Sequence, residues 1–212
     1  MEGYMVRPRG DRRRVILDAA TLVFSEQGFV GTNLDDVVAA ASVSKQTLYK
    51  HFADKAALFQ EIVLDISNQV DATFFDLPSP DSIEDIDGWI NELAVRWVDT
   101  IMDPNVQRIR RLVIAEAPRF PDIAASYWDN GFARALANLT EHFCGLTAEG
   151  LLTAPDPAVA AEHFVALTLW IPSNRTMFTS KADVVTSNEL QTYARNGAAT
   201  FLRAFARRES AA

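Results

Sequence analysis

Apolar residues recur every three or four positions almost from end to end of this chain, and nowhere do they alternate long enough to make a strand. That spacing gathers them on one face of an α-helix, so the expected fold is all-α. Val15/Ile16, Ala19/Ala20 and Val23/Phe24 form a doublet every four residues, a first amphipathic helix over 11–27 that Gly28 closes. Gly31-Thr32-Asn33 follows as a capping turn. Leu34, Val37, Val38 and Ala41 then share one side of a short second helix, with Asp35 and Asp36 at its positive end. Ser42-Val43-Ser44 interrupts the pattern, and Leu48 and Phe52, one turn apart, predict a third short helix over 45–52. Asp54 is an N-cap for a long helix over about 55–75, which Pro78 and Pro80 stop. Further helical patterns lie at about 83–102, 106–117, 121–145, 157–178 and 187–208, separated by proline-bearing or polar loops. The expected architecture is three short helices, a connecting fourth and a helical bundle of five or six more.

Two short helices joined by a three-residue break are the pattern of a helix-turn-helix, whose second helix enters the major groove of DNA. On a wheel of about 100° per residue, Leu48 and Phe52 set the inward direction of the third helix. Gln46, Thr47 and Lys50 then point outward, able to meet base edges, while Tyr49 and His51 flank the core face where groove-wall phosphates would lie. Lys55 adds a cation at the start of the fourth helix, whose amide-bearing end is itself favourable to phosphate. Charge is split in the same sense. Residues 1–55 carry eight Lys/Arg against seven Asp/Glu, whereas the remaining 157 residues carry −9 of the net −8. A locally basic end can meet phosphates while an acidic body supplies solubility. The arginines of residues 1–14 are either part of that contact or a solvated tail; composition does not separate the two.

Residues 12–63 resemble the DNA-binding domain of TetR/AcrR regulators. The resemblance rests on Gly28-Phe29 and Gly31-Thr32, on Val37-Val38-Ala39, on Ala41 through Phe52 in unbroken order, and on Lys55 and Leu58. It implies base contacts from Ser44, Lys45, Gln46 and Thr47, and phosphate contacts from Tyr49, His51 and Lys55. Two positions depart from the family pattern: Ser42 stands where the turn usually carries Gly, and Gln46 where the recognition helix often does. The first bears on turn geometry and the second on which bases are read. The run from Arg110 to Pro121 resembles the AefR-like subgroup of the family's C-terminal domains. The implied division is an N-terminal arm and helix-turn-helix over 1–54, then a connecting helix with a ligand-sensing and dimerisation domain over 55–212. The implied function is a ligand-responsive regulator, a repressor by family default, that binds a palindromic operator in double-stranded DNA as a homodimer.

In this family the last two long helices form a four-helix bundle across a two-fold axis. The apolar faces over 157–178 and 187–208 suit that role, and Phe164, Trp170, Leu190, Phe201, Leu202 and Phe205 are the expected interface. The effector is expected to be small and largely apolar, held between the middle helices, with Trp89, Trp97, Glu116, Tyr127 and Trp128 as candidate contacts. An aromatic stripe at helical spacing also suits plain core.

Rival chemistries find little support. Ser42-Val43-Ser44-Lys45 spells S-x-x-K, but the Ser-Asp-Asn and Lys-Thr-Gly partners of serine acyl-transfer enzymes are absent. His51, His142 and His163 have no regular metal spacing, and no glycine-rich phosphate loop occurs. No enzyme, cofactor or metal is expected; a dimeric adaptor without DNA binding is the nearest alternative. No apolar run reaches the length of a membrane span, so a cytoplasmic protein is expected. Cys144, the only cysteine, reads as a small core residue.

Overall fold

The computed structural model describes residues 9–75, 77–179 and 185–207, with side chains over 12–70, 77–179 and 185–207. Arg7, the side chain of Arg9 and the expected end of the last helix at 208 lie outside the described residues. The described chain is helical, with one isolated bridge between Leu152 and Ala206 and no strand. It divides into two compact units. One comprises residues up to Ile66 together with Arg108–Tyr127; the other comprises Ser67–Gln107 and the chain from Trp128 onward.

The first unit holds α1 (Arg9–Gly31), α2 (Leu34–Ala40), α3 (Lys45–His51) and the start of α4 (Lys55–Phe75). Gly28, at φ 71°, takes the left-handed conformation that a side chain resists, and so ends the regular part of α1 where the sequence predicts. Asn33 and Ser44 cap α2 and α3, and Asp54 Oδ1 accepts from the Ala57 amide at 2.8 Å at the head of α4. Ile16, Ala20 and Phe24 of α1, Val37 of α2, Leu48 of α3, and Leu58, Phe59 and Ile62 of α4 are buried. Each large side chain among them contributes roughly 1.5–3 kcal/mol by leaving water.

The same unit takes in the later part of α6 (Pro104–Glu116) and all of α7 (Pro121–Tyr127). Phe120, between these two helices, packs its ring edge-on to Phe29 at 4.4 Å and reaches Phe59 at 6.2 Å. Arg119 lies over both Phe29 and Phe120, at 5.3 and 5.2 Å. Residues 108–127 therefore share a compact unit with the helix-turn-helix, so the units divide the chain elsewhere than at residue 54.

The second unit is built on α5 (Ile86–Ile101), α8 (Arg134–Ala148), α9 (Pro157–Phe178) and α10 (Ser187–Phe205). Local signals start three of these helices: Asp85 caps α5, Asp156 and Pro157 start α9, and Thr186 with Glu189 forms a reciprocal capping box on α10. Phe143, Phe164 and Phe201 meet at centroid distances of 5.1–5.7 Å and are fully buried. Gly197 lets α10 lie close on α9, since a Cβ there would stand 2.9 Å from the Leu167 carbonyl oxygen. The helix expected over 121–145 is three pieces, because the π-helical turn Trp128–Ala133 separates α7 from α8. Its buried Gly131 allows close approach of Ser67, whose Oγ would lie 3.3 Å from a Cβ.

Two expectations are corrected here. Cys144 is exposed, because Phe143 and Leu146 point inward and an intervening residue on a helix turns away from them. Phe164 and Phe201, assigned by their apolar faces to a subunit interface, are instead spent on their own core and offer a partner nothing.

Candidate nucleic-acid interface

The turn between α2 and α3 is set by backbone hydrogen bonding. The Val43 amide donates to the Val38 carbonyl at 3.2 Å and the Ser42 amide to the Ala39 carbonyl at 3.1 Å, the paired bonds of a Schellman C-cap. That motif needs a left-handed residue, and Ser42 supplies it at φ 50°, with the steric cost glycine would avoid. Beyond the turn, Ser44 Oγ accepts from the Thr47 amide at 3.1 Å and lies 2.8 Å from the Thr47 hydroxyl. Lys45 pairs with Asp35 at 2.7 Å, and that hydrogen bond raises its pKa from the ordinary lysine value. Ser44, Lys45 and Thr47 are thus already oriented by local partners.

Leu48 and Phe52 fasten α3 to the core, so the opposite face is free. Gln46 and Lys50 are exposed as the wheel places them, Tyr49 is 49% exposed, and Thr47, expected outward, is half-buried like His51. Gln46, Thr47, Lys50 and His51, two pairs spaced one turn apart, line a cleft of about 310 Å³ together with Arg12. Composition alone leaves Arg12 undecided between contact and solvated tail. Its neighbours on α1 are tied down: Arg13 pairs with Glu61 and lies 5.6 Å over the Phe52 ring, while Arg14 pairs with Asp18 and Asp65, each at 2.9 Å.

Lys55 is placed differently from the expectation. Its Nζ donates to the carbonyls of Thr32 and Val30 at 2.7 and 3.3 Å and sits 4.8 Å from the Phe29 ring centre. The ammonium thus satisfies carbonyls at the C-terminal end of α1, where negative partial charge gathers, and is not directed outward to a phosphate.

The expected effector contacts are divided between the two units. Glu116 and Tyr127 belong to the first unit, and burial raises the Tyr127 hydroxyl above its usual pKa while nearby Arg110 opposes the shift. Trp89, Trp97 and Trp128 belong to the second. Trp97 is fully buried core, Trp89 stacks on His142 at 6.5 Å, and Trp128 is 54% exposed and stacked on Phe132 at 5.0 Å. Gln107, missed by periodicity because a polar residue breaks the apolar pattern, is buried; its Nε2 donates to the Ile101 carbonyl at 2.6 Å and its Oε1 has no partner among the described residues. A buried acceptor in that state wants a donor.

Of the expected interface residues, Leu190, Leu202 and Phe205 are half-buried and Trp170 is exposed. An apolar stripe runs along the outside of α9 instead, through Val159, Leu167, Trp170, Ile171 and Phe178, all at least 40% exposed.

Residues 16–62 match the model of the tetR family of bacterial regulatory proteins, and residues 89–207 match the C-terminal domain of AefR-like transcriptional repressors. The HTH-type regulator AcrR of Shigella flexneri is 44% identical over 52 residues, 24% of each chain. The negative regulator IcaR of the biofilm operon icaADBC of Staphylococcus aureus is 40% identical over 48 residues, 23% of this chain and 26% of that one. These matches thus span about a quarter of the curated relatives. Over nearly the whole chain, a solved TetR-family regulator from Mesorhizobium loti aligns with a TM-score of 0.83 and 33% identity, covering 95% of this chain and 100% of that one. The solved flavonoid-responsive regulator FrrA aligns at 0.70 and 26%, covering 94% and 100%.

Proposed function

Since the chain belongs to the TetR family of bacterial regulatory proteins, with the C-terminal domain of AefR-like transcriptional repressors, we propose that it is a homodimeric repressor released from a palindromic operator by a small, largely apolar molecule. The observation that carries the reading is the outward face of α3. Leu48 is fully buried while Gln46, Lys50 and Tyr49 stand free on a helix preceded by a tight, capped turn. In this reading Gln46 and Thr47 meet base edges, with Ser44 and Lys45 at the start of the helix, and Tyr49, Lys50 and His51 meet the backbone. Residues 1–54 are the reading head, and 55–212 connect, sense and dimerise. The α9 stripe is the two-fold contact, which would present two α3 helices to successive half-sites about 34–36 Å apart.

The effector reading is supported by the aromatic content of the middle helices, by the lone acceptor of Gln107 and by the likeness to a flavonoid-responsive regulator. A planar aromatic molecule bearing hydroxyl donors has the chemistry such a site takes. Linkage requires that an effector lowering operator affinity be itself bound less tightly by the operator complex, by the same factor. Selection of bound DNA from a random pool is the test. An enriched inverted repeat supports the reading, and failure to enrich or shift any DNA at low salt favours the DNA-free adaptor.

A further inference from the structure

Resting on the reading of α3 as the DNA-recognition helix, we propose that Arg12 of α1, with Lys50 and His51 of α3, forms a pocket for one backbone phosphate of the bound DNA strand. Three observations converge. The cleft of about 310 Å³ is lined by Arg12, Gln46, Thr47, Lys50 and His51, so two cations and an imidazole meet with no carboxylate among the lining residues. Neighbouring cations are consumed by other groups: Arg13 by Glu61, Arg14 by Asp18 and Asp65, Lys45 by Asp35, and Lys55 by the carbonyls of Val30 and Thr32. Among the described residues Arg12 and Lys50 have no ion-pair partner, and both are exposed. An anion entering this cleft therefore meets no carboxylate among its described lining residues.

The geometry also explains why Arg12 differs from a solvated tail. The pairs made by Arg13 and Arg14 fasten the first turns of α1 to α4, and Arg13 lies over Phe52 at the end of α3. The backbone that carries Arg12 is thereby held beside α3, and less conformational freedom is lost when its side chain engages an oxygen. A guanidinium offers paired donors that match phosphate geometry, and the Lys50 ammonium adds a point charge to the same oxygens. His51 can donate to a remaining oxygen. The long amide of Gln46 on the same cleft is left to reach the adjoining base edge, so this end of α3 couples phosphate registration to base readout.

The test compares the wild-type protein with Arg12→Ala and Arg12→Lys on the selected operator and on unrelated duplex DNA, over a range of salt. Arg12→Ala is expected to weaken both by roughly tenfold or more at low salt. It should also make the dependence of log K on log salt shallower, by less than about two in a dimer while Lys50 still faces the phosphate, and by about two when Lys50→Ala is added, at about 0.9 for each phosphate no longer neutralised. Arg12→Lys keeps the salt slope and loses part of the affinity, and ethylation of a single phosphate in each half-site abolishes the difference between wild type and Arg12→Ala. The melting temperature of both variants stays at the wild-type value. Unchanged affinity and slope in Arg12→Ala, with wild type bound normally, overturn the pocket. A changed base preference with an unchanged slope, or a loss that tracks a lowered melting temperature, overturns it too. If wild type itself binds no duplex at low salt, the reading of α3 has failed and not the pocket alone.

Discussion

Replacing Trp170 by Glu should dissociate the dimer and leave the folded protomer intact. Trp170 is 66% exposed at the centre of the α9 stripe, between Leu167 and Ile171, which are 40% and 49% exposed. A tryptophan carries up to about 250 Å² of surface, so roughly 160 Å² per protomer is open for a partner to cover. At about 25 cal/mol per Å², full coverage in both protomers would contribute roughly 8 kcal/mol. Half coverage, roughly 4 kcal/mol, corresponds to a dissociation constant raised about a thousandfold, before the cost of burying two carboxylates against each other is added. Sedimentation equilibrium at micromolar concentration measures this directly. Circular dichroism melts should show no loss of helix, since the residue contributes little to its own core. Phe201→Ala is the contrasting control: a fully buried ring is removed from the Phe143–Phe164–Phe201 cluster, at about 3–5 kcal/mol of protomer stability. A Trp170→Glu protein that dimerises with wild-type affinity, or a wild type that is monomeric at these concentrations, would refute the assignment of the α9 face.

Gln46→Ala should relax base preference at one position of each half-site by about 1–3 kcal/mol while leaving the salt slope unchanged, as read by binding to single-base operator variants. Ser42→Gly should raise stability by roughly 0.5–1 kcal/mol, because φ 50° is strained for serine and free for glycine; an unchanged or lower denaturation midpoint would argue against strain in the turn. Glu189 is held below the usual carboxylate range, first by the Thr186 amide, then by the Arg175 guanidinium and the Thr186 hydroxyl. Since its folded pKa is the lower one, its contribution is complete above the ordinary carboxylate range and is lost as pH falls through the depressed folded value. Thermal melts of wild type and Glu189→Gln should therefore differ by a constant amount near neutrality and converge in acid; a gap that persists in strong acid would show that the charge is not involved.

Where an element ends is written largely in local sequence. The ranges expected for α4 and α9 coincide with those observed, because Asp54, Asp156 and Pro157 act on amides within their own first turn and Pro78 stops the pattern locally. The orientation of α3 is equally legible, since Leu48 and Phe52 alone fix which way a two-turn helix faces. The π-helical turn at 128–133 is not legible: an extra residue in one turn leaves the surrounding periodicity nearly intact, and the close packing of Gly131 on Ser67 involves a helix some sixty positions away.

Sequence by itself determined the helical class, the helix-turn-helix and the chemistry of its outer face, because these depend on periodicity and caps within a few residues. Tertiary structure alone decided which partner each side chain meets. Phe164 and Phe201 are apolar on helices with broad apolar faces, and only the packing of α8 against α9 and α10 turns them into core and leaves Trp170 outside. Lys55 and Arg12 are cations at helix starts that spacing cannot distinguish. Carbonyls more than twenty residues away capture the first, while ion pairs of Arg13 and Arg14 with α4 hold the second beside α3. Such contacts join distant segments whose proximity no local pattern encodes, since it arises only when several helices bury their apolar faces together.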